Sequence, residues 1–128
     1  MDTGTGVNGI IRKEDRFLVL VKHDGSFDLP GGRVEEGESI KAALHREIHE
    51  ETGLKVDIKE TVGKWSFPPK PNFVINGITF ACIYLKGTVE LCDEHTNYFW
   101  AGIDKIQRLT FSREIQRHFK YMYPSYCK

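Results

Sequence analysis

The chain has few cysteines, no surplus of either charge, no long apolar run and no low-complexity tract. Its three cysteines, Cys82, Cys92 and Cys127, form no Cys-x-x-Cys pair. That absence argues against a zinc ribbon or a dithiol redox centre and for reduced thiols. Lys plus Arg, 18, equals Asp plus Glu, 18, so nucleic acid and anionic membrane surfaces, which select cationic proteins, are the least favoured partners. No apolar run approaches the roughly 20 residues of a membrane span. The first residues, Met1 to Gly6, have neither the basic nor the apolar region of a secretory signal. These absences point to a soluble, cytoplasmic protein. What is present is 128 residues with 40% hydrophobic content, the size of one domain over 1–128 that buries its own core without disulfides.

Val7 to Arg12 and Phe17 to Lys22 are β-rich runs around Lys13-Glu14-Asp15 and read as a hairpin. A short strand is expected at Phe27 to Leu29, stopped by Pro30, and Gly31 to Gly37 reads as a structured loop. Ser39 to Thr52 has helical periodicity, with Glu38 or Ser39 at its start and Gly53 just past its end. Further strands are expected at Val56 to Val62, Lys64 to Phe67, Ile78 to Leu85, Thr88 to Leu91 and Tyr98 to Ala101. Pro68, Pro69 and Pro71 mark an irregular loop, and Ser112 is a candidate cap for a last helix that Pro124 stops. Many strands with two helices predict an α/β sandwich with a mixed sheet between helices.

The Ser39–Thr52 helix breaks its own pattern. With Ile40 at zero and about 100° per residue, Ala43, Leu44 and Ile48 define an apolar stripe about 140° wide. Glu47 at about 340° and Glu51 at about 20° fall inside that stripe, and Glu50 at about 280° on its edge. Arg46 points toward the other side. Most glutamate runs are solvated faces; these are directed at the core. Two carboxylates one turn apart repel each other, desolvation costs each several kcal/mol, and the helix dipole disfavours anions in the last turn. A cation between them reverses all three penalties. Hard oxygen donors without clustered sulfur or imidazole select Mg²⁺, Mn²⁺ or Ca²⁺. Beside a glycine-rich loop, phosphate chemistry is the natural use.

Gly32, Glu38, Arg46-Glu47-Ile48, Glu50-Glu51 and Gly53-Leu54 fill every specified position of G-x5-E-x7-R-E-U-x-E-E-x-G-U, where U is aliphatic. The segment 32–54 therefore resembles the Nudix box, and the whole chain looks like a compact Nudix domain. The resemblance implies an α/β/α sandwich and a Mg²⁺- or Mn²⁺-dependent hydrolase of a nucleoside diphosphate linked to another group. It implies Glu47 and Glu51 as metal ligands, Glu50 as a direct or water-mediated ligand, and the Gly31 carbonyl as a backbone ligand. Arg46 resembles the arginine that orients a box glutamate, and Glu38 its loop–helix partner. Gly37 and Gly53 read as backbone requirements. Glu94, six residues before Trp100, matches an acidic loop position of the family and is a candidate ligand or general base. His95 is a second candidate base, and Glu50 a third.

Phe27, Trp65, Phe67 and Phe73 are candidates to stack a nucleobase. Pro69, fifteen residues after Leu54, resembles a feature of ADP-ribose-hydrolysing members, whereas the compact form looks as much like the (deoxy)nucleoside-triphosphate hydrolases. The expected partner is a small nucleotide, for a monomer or homodimer. The alternative is a Nudix-fold sensor that binds a nucleotide without turnover; it fits less well, because all the box glutamates are present.

Overall fold

A computed structural model of the chain describes residues 2–109 and 111. The strands are β1 (Asp2–Lys13), β2 (Arg16–Lys22), β3 (Phe27–Asp28), β4 (Gly31–Arg33), β5 (Lys55–Lys70), β6 (Phe73–Lys86) and β7 (His95–Gly102). Helix α1 (Ile40–Thr52) lies between β4 and β5, and a short α2 (Ile103–Ile106) follows β7. The sheet runs β3-β2-β1-β6-β5, with β4 paired to β1 and β7 to β2. β1 and β6 are parallel from Asp2 opposite Phe73 to Arg12 opposite Ile83; the other pairs are antiparallel. The sheet is thus mixed, as expected for the α/β class.

The period-two alternation of strand side chains divides the core in two. Val7, Ile11, Leu18 and Leu20 pack on the α1 side with Ala43, Leu44 and Ile48. Ile10, Phe17 and Val19 pack on the opposite side with Ile106 and Phe111. Leu44 and Ile48 are fully buried, and each stabilises α1 against the sheet by about 1.5–3 kcal/mol through its removal from water. The ends of α1 are satisfied locally. The Ala42 N–H donates to Ser39 Oγ at 3.1 Å, and Gly53, at φ 75°, donates its N–H to the His49 carbonyl.

Four expectations change. The segment read as a loop after Pro30 contains β4, because Gly31, Gly32 and Arg33 pair with Asn8, Val7 and Gly6. The two strands expected before and after Gly63 are one strand that continues through Pro68 and Pro69. Proline is tolerated there because β5 is an edge strand and its register shifts between Phe67 and Lys70. The segment Thr88 to Leu91 is not a strand, and α2 was not expected. The helix expected after Ser112 lies outside the described residues. Among those residues, no helix is long and apolar enough to cross a membrane.

Candidate active site

The acidic row of α1 meets the backbone of β4. Glu51 is only 4% exposed, and its Oε2 accepts a hydrogen bond from the Gly31 N–H at 3.0 Å. Gly31 therefore reaches Glu51 through its N–H; the expectation for this residue concerned its carbonyl. The Glu47 carboxylate lies against Gly32, where a Cβ would fall 2.5 Å from Glu47 Cδ. A residue other than glycine at 32 would drive that carboxylate away.

Arg46 organises the row. Its Nε and Nη2 donate to the two oxygens of Glu38 at 2.7 and 3.0 Å. Its Nη1 donates to Glu47 Oε1 at 2.8 Å and to Glu50 Oε2 at 3.3 Å, and Nη2 also reaches the Arg33 carbonyl at 3.0 Å. Helical arithmetic puts the Arg46 backbone off the acidic stripe, and the long side chain folds back to it. Glu38 additionally accepts from the Glu35 N–H at 2.9 Å. Donation from Arg46, then from that backbone N–H, holds the Glu38 carboxyl down to about 2. Glu50 remains largely exposed.

The rest of the site arrives through pairings across the sheet. β2 pairs with β3 at Leu20 and Asp28 and with β7 at Lys22 and His95, which delivers both residues to Glu51. His95 is buried; its Nε2 is 3.2 Å from Asp28 Oδ2, and its Nδ1 is 3.9 Å from Glu51 Oε1. Glu94 is exposed in the turn before β7. Burial above all pushes the Glu51 carboxyl up to about 9, and repulsion from Glu47, Glu94 and Asp28 adds to it, against the Gly31 N–H. Three acids, Glu47, Glu94 and Asp28, thus act electrostatically on one buried carboxylate, Glu51. Their oxygens are hard donors whose mutual repulsion a divalent cation would relieve, so the residues fit Mg²⁺ or Mn²⁺.

A cleft of about 190 Å³ adjoins these residues, lined by Asn8, Asp28, Gly31, Gly32, Arg33, Trp65 and Phe67 among others. Trp65 sits opposite Gly77, which sits beside Gly6. Its indole lies across both glycines, and a Cβ on Gly6 would come within 2.7 Å of it. Phe67 is 54% exposed. The structure brings these two expected aromatics to the cleft and sends the others elsewhere. Phe73 lies under the Arg33 guanidinium at 4.8 Å and supports it. Phe27 packs on Phe99 and Phe111 in the opposite core layer, so its ring is committed to packing. Asp28, Arg33 and Asn8, whose amide oxygen accepts from buried Thr79, were missed. The one local signal was their closeness to Gly31-Gly32, and Asn8 had none.

The family model described as the NUDIX domain matches residues 2–122, and the chain belongs to this family of hydrolases acting on pyrophosphate bonds, which use divalent metals. It is 33% identical over 113 residues to the ADP-ribose pyrophosphatase of Methanocaldococcus jannaschii, covering 84% of this chain and 67% of that one. It is 32% identical over 108 residues to the nucleoside triphosphatase NudI of Escherichia coli, covering 71% and 76%. Among solved structures, the MutT protein of Methanosarcina mazei superposes with a TM-score of 0.82 at 27% identity, over 96% of this chain and 95% of that one.

Proposed function

We propose that the protein hydrolyses a pyrophosphate bond in a nucleoside diphosphate derivative, either a (deoxy)nucleoside triphosphate or an ADP-ribose-like nucleotide. Glu47 and Glu51 hold Mg²⁺ or Mn²⁺, with Glu50 and the Gly31 carbonyl in support. The observation that carries this reading is Glu51, a carboxylate 4% exposed that burial and the acids Glu47, Glu94 and Asp28 push up to about 9, bonded to Gly31 on the wall of the cleft. When bound, the cation neutralises phosphate oxygens and acidifies the attacking water.

The remaining work belongs to the chain's own side chains and is mostly positioning. Arg46 fixes Glu47 while Glu38 fixes Arg46. Arg33, seated on Phe73, offers the substrate's phosphates a guanidinium at the cleft wall. Trp65 and Phe67 stack the base. Glu94 accepts the water proton; it suits that role better than Glu50, whose carboxylate is engaged by Arg46 at 3.3 Å.

The test is phosphate or nucleotide release with Mg²⁺ and with Mn²⁺ from dNTPs, ADP-ribose, other nucleotide sugars and dinucleoside polyphosphates. One class is hydrolysed, and for it Trp65→Ala raises KM by about 5- to 150-fold, the range of a lost stack, with kcat nearly unchanged. Saturable binding of these nucleotides without release of any product would establish the non-catalytic sensor instead.

A further inference from the structure

We infer that Cys92, Glu94 and His95 form a second cation site, of mixed sulfur, oxygen and nitrogen donors, that takes a borderline-soft divalent ion of the zinc class. The three residues sit on one turn, which the His95 N–H closes by donating to the Cys92 carbonyl at 3.3 Å. The ring of His23 braces the same turn at the Asp93 carbonyl. The turn places a donor atom from each of the three within 4.8 Å of one another. Bonds of about 2.3 Å to sulfur and about 2.0 Å to nitrogen or oxygen place tetrahedral donors about 3.5 Å apart, an approach that the half-buried Cys92 and the exposed Glu94 make toward buried His95.

The independent pointer is the imidazole. Its Nε2 lies 3.2 Å from Asp28 Oδ2, and in the tautomer that donates Nε2–H to that carboxylate the lone pair is on Nδ1. That Nδ1 is buried and has no hydrogen-bond partner, and Glu51 Oε1, at 3.9 Å, is beyond bonding distance. A bare buried acceptor is costly. A carboxylate on one imidazole nitrogen with the other nitrogen free is the arrangement that orients a histidine toward a metal. Sulfur and imidazole then select zinc over magnesium, and three protein donors leave a fourth position open. Binding releases the Cys92 thiol proton. Cys82 is no competitor, since burial pushes its thiol up to about 12.

An ion held here commits Glu94 and places positive charge beside Glu51, so zinc opposes turnover supported by magnesium. That consequence rests on the proposed function, whereas the binding does not.

The two are separated by titrating the metal-stripped full chain with Zn²⁺ and Co²⁺ in the absence of nucleotide. The expected result is one Zn²⁺ per chain and a thiolate-to-cobalt absorption band. In Cys92→Ser the band disappears and zinc affinity falls about a hundredfold, the upper end of the loss when a mere supporting partner is removed; Cys127→Ser keeps both. The ratio of magnesium-supported turnover with and without zinc then rises toward one in Cys92→Ser. Equal zinc affinity in the native chain and Cys92→Ser, or a band that disappears with Cys127 instead, would overturn the site. Zinc binding that follows Cys92 in a protein inert toward every nucleotide would support the site and overturn the proposed function alone.

Discussion

Arg46 donates hydrogen bonds to three glutamates and a backbone carbonyl, a set that needs a planar fork of several donors. Lysine has one point charge and cannot replace it. Arg46→Lys therefore lowers kcat by about 10- to 100-fold, as loss of an orienting partner does, with an unchanged circular dichroism spectrum; full turnover would show that Glu47 holds its position unaided. Glu38 sets the acid limit of the same network. Its carboxyl titrates at about 2 when folded, against 4.5 ordinarily, so its contribution is present above about 4.5 and is lost as pH falls from there through about 2. Below pH 4.5 the urea midpoint of the native chain falls more steeply than that of Glu38→Gln; parallel curves would contradict this. Glu47 and Glu51 were legible because helical periodicity is local. Asp28, His95 and Asn8 meet the row only through pairings across the sheet, so His95 was merely a candidate base and the other two were unmarked.

Glu14 shows the cost of a tight connection between elements. It joins β1 to β2 at φ 56°, a left-handed conformation that side chains other than those of glycine and asparagine disfavour. Glu14→Gly removes about 1–2 kcal/mol of left-handed strain against about 0.5–1 kcal/mol of added chain entropy, so the urea midpoint rises; a lower midpoint would show that the side chain contributes more than the strain. Strand content was legible where β-forming apolar residues run together, as at Phe17 to Val21. It was hidden where pairing overrides composition. The Thr-Gly repeat at the start of β1 is a poor strand former, yet it pairs along its whole length with β6, and at Gly6 also with β4. Thr88 to Leu91 has the opposite character: β-rich in composition, it pairs with no strand among the described residues.

At the scale of the whole molecule, a sheet covered on both faces holds one helix so that its acidic side closes on a glycine-rich strand. The Nudix box could be read from sequence as a pattern, but the cleft could not, because Trp65 reaches it only by lying over glycines on two other strands. The claim that joins fold to chemistry is that Glu51 is tolerable at its buried position because a divalent cation joins it there. Thermal unfolding at pH 8, with and without Mg²⁺ or Mn²⁺, tests this most directly in the native chain and in Glu51→Gln. Metal at a hundred times its Kd stabilises the native chain by about 2.7 kcal/mol, or about 8–12 °C in Tm. Glu51→Gln does not respond, and without metal it melts no lower than the native chain. A native Tm indifferent to both ions, or an equal rise in the variant, would contradict the claim.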